Sequence, residues 1–210
     1  MRTDDLIRAL ATDGARPVVP IGRHLTGALL IGITLSALLF LATLHARSDI
    51  ALAFSIPGFC LKLIITVLLG LSAIAVLSDA ARPIPRLRWH RLLLAPALLL
   101  AAVMFELSTV PAHLWTTRLI GHNAPHCLSL IPLLSLAPAA CLMMALRRGA
   151  PARPAFAGAI AGVLSGAVGA TMYALTCPDD SALFVATWYS IAIVAVTAAS
   201  TYIGRRVLRW

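Results

Sequence analysis

Long apolar runs broken by short polar stretches dominate the chain, and their length identifies them. A helix needs about 20 apolar residues to cross a bilayer core. Six runs reach that length, at 25–44, 56–78, 92–110, 127–146, 155–175 and 182–203. The connections between them are short. The pattern therefore predicts an all-α polytopic membrane protein, one bundle of six transmembrane helices over 25–210, preceded by a polar tail over 1–24. No internal repeat of about 20–50 residues is visible, which argues against a stacked-repeat architecture.

Composition agrees. Hydrophobic residues make up 60% of the 210 residues and charged residues 12%, against about 45–50% and 25% in soluble domains. The net charge of +9 would suit nucleic acid in a soluble chain, but here it has a simpler source. Cytoplasmic loops of membrane proteins collect Lys and Arg. Of the 16 arginines, 14 fall on one side if the N-terminus is inside: Arg2, Arg8, Arg16, Arg23, Arg82, Arg86, Arg88, Arg91, Arg147, Arg148, Arg153, Arg205, Arg206 and Arg209. Arg47 and Arg118 fall on the other. The distribution predicts N-in, C-in and no direct contact with nucleic acid. The tail "MRTDDLIRALATDGARPV" lacks the apolar core and small-residue site of a cleaved signal, so the first helix is expected to stay as an anchor.

Several details bear on packing. Gly158, Gly162 and Gly166 repeat every four residues in the fifth run, with Ala170 continuing the row; such a stripe lets another helix approach closely. Pro132 and Pro138 each remove a backbone donor from the fourth helix and should bend it. In the tail, Thr3 or Asp4 can cap a short helix with Leu6, Ile7 and Leu10 on one face. So short a helix needs a surface to order on, either a partner's groove or the membrane.

Chemistry-bearing residues are few. Cys60 and Cys141 lie within runs and read as small hydrophobes. Cys127 and Cys177 lie where the fourth and fifth helices meet the outer face. Counted from the inner loop between them, their heights differ by roughly 5 Å at 1.5 Å per residue. Spacing leaves three readings open: a redox- or metal-responsive pair, a structural pair, or two inert thiols. His126, beside Cys127, would complete a soft-metal set of Cys127, Cys177 and His126, though the spacing matches no zinc finger or ribbon. Asp179 and Asp180 suit the start of the sixth helix, where negative charge meets a helix N-terminus. Lys62 and Glu106 lie inside runs, at similar depth; such groups face the bundle interior or snorkel, and a Lys62–Glu106 pair would neutralise both. No Walker loop, GxGxxG, HExxH or CxxC occurs, so neither an enzyme nor a cofactor is expected. Three functional classes remain: a membrane regulator with a thiol-bearing outer face, a small transporter or channel using Lys62 and Glu106, and, least favoured, a thiol oxidoreductase.

Particular stretches carry a resemblance. "TDDLIRALA" at the N-terminus, "FCLKL" around Lys62, "CLSLIPLL" at Cys127, "LTCPDDSALFVATWYS" around Cys177 and the closing "RRVLRW" resemble the NrsF family over essentially the whole chain. The family consists of six-helix bacterial inner-membrane anti-sigma factors for extracytoplasmic-function sigma factors. The resemblance implies that the cytoplasmic tail holds the sigma factor, with contacts at Asp4, Asp5, Leu6 and Ile7. It also implies that Cys127 and Cys177 sense an oxidative or heavy-metal stimulus. Cys60 departs from the pattern, standing where many relatives have an aromatic residue.

Overall fold

The computed structural model describes residues 3–5, 7, 21–44, 47, 49–80, 89–149 and 151–208. Among these no strand occurs, and six helices are long and apolar enough to cross a membrane. They are α1 (Ile21–Thr43), α2 (Pro57–Ala80), α3 (Trp89–Thr109), α4 (Ala124–Gly149), α5 (Pro154–Ala174) and α6 (Ala182–Val207). All six fall within a few residues of the apolar runs. Prolines open α2 and α5, where a missing N–H costs nothing. Leu6, Arg2, Arg8, Arg16, Arg82, Arg86, Arg88 and Arg209 lie outside the described residues. We refer to the two ends of the bundle as the tail end, where α1 begins and α6 finishes, and the cysteine end.

The bundle is built around α5. Its most apolar stretch is 61% buried, against 11% for α3, and it packs on α6, α4 and α2, while α3 lies at the periphery against α2. The small-residue stripe explains why. A Cβ at Gly158 would sit 2.7 Å from the Ser200 carbonyl oxygen, and one at Gly162 would sit 2.7 Å from Cα of Thr197. The backbones of α5 and α6 therefore touch along the row, as the sequence pattern predicted, and close backbone packing replaces the hydrophobic drive that lipid cannot supply.

The prolines of α4 do not interrupt it. Pro138 has no N–H to give the Leu134 carbonyl one turn earlier. That carbonyl instead accepts a hydrogen bond of 2.8 Å from the Ser36 hydroxyl on α1. Ser36 and Ser135 are fully buried. A neighbouring helix thus repairs what the proline removed, as backbone polar groups in a lipid environment require. One turn away, Gly32 of α1 lies against the backbone of Pro138, so α1 and α4 are hooked together at mid-height.

Ser36→Ala should lower stability by about 1 kcal/mol, the cost of an unsatisfied buried carbonyl. In a Pro138→Ala background the loss should be smaller, because the alanine N–H returns to Leu134. Thermal unfolding of the four variants in detergent measures this coupling, and equal losses in both backgrounds would contradict it.

Candidate functional site

The segment from Leu175 to Ser181, which joins α5 to α6, is where the ionisable groups of the cysteine end meet. α5 stops in a turn at Leu175 and Thr176, and Pro178 follows, unable to continue a helix. The loop left behind exposes backbone carbonyls at the rim of an apolar bundle, and Lys62 answers them. Its side chain, 1% exposed, rises along α2 and donates to the Cys177 carbonyl at 2.6 Å and the Asp179 carbonyl at 3.3 Å. It also pairs with Asp180 Oδ1 at 2.6 Å. An ammonium has three donors, and all three groups it meets belong to this loop. Gly58, one turn earlier on α2, lies so close to the Asp180 backbone that a side chain there would collide with it.

The two acids of the loop have separate roles. Asp180 Oδ2 accepts from Arg47 at 3.2 Å, and Arg47 is also held by Asp49 through two hydrogen bonds of 2.7 Å. Asp179 turns the other way. Its Oδ2 accepts from the backbone N–H groups of His122 (3.2 Å) and Asn123 (3.0 Å) and from the Asn123 side chain (3.1 Å), placing a carboxylate at the start of α4. Neither acid caps α6, as the sequence reading had expected. Glu106 does so: its Oε2 accepts from the N–H groups of Ala182 (2.6 Å) and Leu183 (3.2 Å), and its Oε1 from the Ser181 hydroxyl (2.8 Å). Arg118 neutralises it at 2.9 Å. A carboxylate arriving from α3 serves the N-terminus of α6 because free N–H groups and the helix dipole both favour negative charge there.

The expected Lys62–Glu106 pair is therefore absent. Lys62 turns to Asp180 and Glu106 to Arg118, because the loop between them supplies nearer partners for each. Both groups are accounted for by structural contacts at one end of the bundle. The two arginines that stood apart in the charge count, Arg47 and Arg118, are the ones that neutralise acids here.

Beneath this loop lie the thiols. Cys127, in the first turn of α4, is 0% exposed and Cys177 is 1% exposed; both are free. Both belong to one buried cluster and each influences the other's titration, so the similar heights read from sequence correspond to neighbours in the core. Tyr173, on α5 one turn before Cys177, and Tyr189 on α6 belong to the same buried cluster, with ring centroids 5.9 Å apart. Phe184 stands against Tyr189 at 6.4 Å. Residues Val185–Tyr189 form a π-helical turn, the widened winding that recurs at functional sites. A hydrogen bond from the Cys127 thiol, the Lys62 ammonium and the Asp179 N–H lower the Cys177 thiol to about 7, against the opposing effect of burial.

The remaining candidates separate from this pair. His126 is exposed, since neighbouring helix positions point about 100° apart and cannot share the inward face taken by Cys127. Among the described residues no three His, Cys, Asp or Glu side chains are placed to hold a metal ion, so Cys127, Cys177 and His126 do not assemble as a set. The Cys60 thiol donates to the Phe54 carbonyl at 3.2 Å, and Cys141 is buried in α4, apart from the pair. Asp4, Asp5 and Ile7 are exposed, and residues 3–5 and 7 are helical. Sequence reasoning missed Arg47, Asn123, Tyr173 and Tyr189; the position of Tyr173 four residues before Cys177 was the available signal, since that spacing puts both on one side of a helix end.

Lys62→Met would leave Asp180 to Arg47 alone and strip the donor from the Cys177 and Asp179 carbonyls. The expected cost is about 3 kcal/mol, the low end for breaking a buried ion pair on one side, because Arg47 remains. Adding Asp180→Asn should recover part of it. Thermal unfolding in detergent reads both, and a Lys62→Met chain as stable as the parent would refute the role of Lys62 as anchor.

Comparison of the whole sequence with known proteins identifies its family. The profile of the NrsF family, described as "Negative regulator of sigma F", matches residues 10–210. The chain is 36% identical over 214 residues to the anti-sigma-F factor NrsF of Caulobacter vibrioides (strain NA1000 / CB15N), covering 100% of both chains. It is 33% identical over 213 residues to the probable anti-sigma-F factor NrsF of Azospira oryzae (strain ATCC BAA-33 / DSM 13638 / PS), again covering 100% of both. No solved structure matches. The chain belongs to the NrsF family of anti-sigma factors, negative regulators of sigma F.

Proposed function

We propose that this anti-sigma factor sits in the bacterial inner membrane, N-in and C-in. Its tail, residues 1–24, holds an extracytoplasmic-function sigma factor. An oxidant or heavy metal acting on Cys127 and Cys177 releases it. The observation that carries the sensing half is the presence of two free, buried thiols from different helix ends in one core cluster, at a loop tied down by side chains. The orientation rests on charge. Arg23, Arg91, Arg147, Arg148, Arg153, Arg205 and Arg206 gather at the tail end, while the arginines at the cysteine end are spent on ion pairs.

The chemistry follows from the two environments. Cys177 is the attacking thiol, since the Lys62 ammonium sits on its own carbonyl and a nearby cation favours the thiolate. With a peroxide its sulfur takes one oxygen, the O–O bond breaks and hydroxide leaves. The Cys127 thiol then attacks the sulfenic sulfur, a disulfide forms and water departs. A soft metal ion would instead bind both sulfurs and displace their protons. Either event must first loosen the loop, because neither sulfur is open to solvent.

Two helices link the thiols to the tail. Cys127 lies in the first turn of α4, α4 is hooked to α1 through Ser36 and Gly32, and α1 follows the tail in the chain. The tail's exposed helical residues Asp4, Asp5 and Ile7, with Leu6 between them, are the contact surface for the sigma factor. An amphipathic segment of this length orders on a partner's groove.

A chain lacking residues 2–12 should fail to copurify the sigma factor and should leave its regulon switched on; retained copurification would exclude the tail. Cys127→Ser and Cys177→Ser should each blunt induction by cadmium or peroxide in a reporter strain, with the tail still binding. An undiminished response in both would remove the thiols from the pathway.

A further inference from the structure

At the tail end, α1 and α4 part to form a cavity of about 440 Å³. Its rim and its floor differ in kind. Arg23 and His24 from the first turn of α1 and Arg148 from the last turn of α4 line the rim. Gly27, Ile31 and Met144 line the trough below. No carboxylate pairs with Arg23, His24 or Arg148 among the described residues. That sets them apart from Arg47 and Arg118 at the opposite end, each of which meets an acid.

We propose that this groove is a binding site for an anionic phospholipid, its phosphate held between Arg23 and Arg148 and an acyl chain lying along the trough. Three observations fit that occupant. Two guanidiniums from adjacent helices present forked donors suited to phosphate oxygens, with the His24 ring beside them. The trough runs from Arg23 to Ile31, about 12 Å at 1.5 Å per residue, enough for the upper half of an acyl chain. The trough is open at Gly27, where a Cβ would meet nothing within 4 Å. A free anion would use the rim alone and leave the apolar trough unused. Basic pockets between membrane helices at the bilayer surface hold acidic headgroups for these reasons. The site lies at the root of α1, so the bound lipid would sit beside the point where the tail leaves the bundle.

The test uses the full chain, purified in a mild detergent and titrated with phosphatidylglycerol or phosphatidylcholine, with bound lipid read by native mass spectrometry. Phosphatidylglycerol should bind at least about tenfold tighter than phosphatidylcholine. The double variant Arg23→Gln, Arg148→Gln should weaken it roughly 30-fold, at about fivefold per arginine. Both side chains are exposed, so thermal unfolding should be unchanged. The control Arg205→Gln, Arg206→Gln removes the same charge from the end of α6 and should leave binding intact. Equal loss in both doubles would reduce the effect to net charge and overturn the site. Equal affinity for the two lipids would overturn it as well. Displacement of the lipid by millimolar inorganic phosphate would point to a free-anion site instead. If only a chain lacking residues 2–20 bound the lipid, the groove would belong to the tail.

Discussion

A primary ammonium inside an apolar bundle is costly unless every proton finds a partner. Lys62 meets that requirement with two carbonyls and a carboxylate from one seven-residue loop, and much else at the cysteine end depends on the arrangement. By drawing the loop down, it places Cys177 under the rim and against Cys127. The Asp180 that it engages also accepts a hydrogen bond from Arg47. Asp179 then faces α4 and Ser181 faces Glu106. One cation on α2 thus organises contacts reaching α1, α3, α4 and α6. The thiol pair follows from this arrangement, since neither cysteine is held by its own helix alone.

The six spans, their limits and the close approach of α5 and α6 were legible in the sequence because each depends on local quantities: run length, residue size, the four-residue repeat of Gly158, Gly162 and Gly166. Cys127 and Cys177 were legible as a pair in height, which the rise per residue fixes, and lateral contact was left open, since that depends on how helices are arranged around α5. The partners of the ionisable groups were not legible. Depth alone suggested that Lys62 and Glu106 meet, yet depth ignores the loop between them, whose carbonyls and N–H groups supply closer partners. Asp179 and Asp180 were recognised as belonging near a helix start, but the choice among three helix ends was decided by where Arg47, Asn123 and Glu106 arrive. Adjacent residues in sequence, such as His126 and Cys127, were grouped by proximity along the chain and then separated by the turn of the helix.

The two ends of the bundle handle charge in opposite ways. At the cysteine end each acid meets a base, with Lys62 and Asp180 buried or nearly so and Asp49 and Arg118 half-exposed. At the tail end Arg23 and Arg148 meet no carboxylate among the described residues. The asymmetry also separates the two ends in their response to salt, because buried ion pairs are screened less than exposed arginines.

The hydrogen bond from Ser36 to Leu134 also limits how α1 can move. A helix sliding along its neighbour by less than a full turn would strand the proline-freed carbonyl of α4 in a medium with no water to receive it. Small pistons of α1 are therefore uphill from the start, whereas rocking about Ser36 keeps the bond and lets the ends of the helix swing. The mid-height contact acts as a fulcrum: a slight spreading of α4 at the cysteine end becomes an opposite displacement where α1 meets the tail.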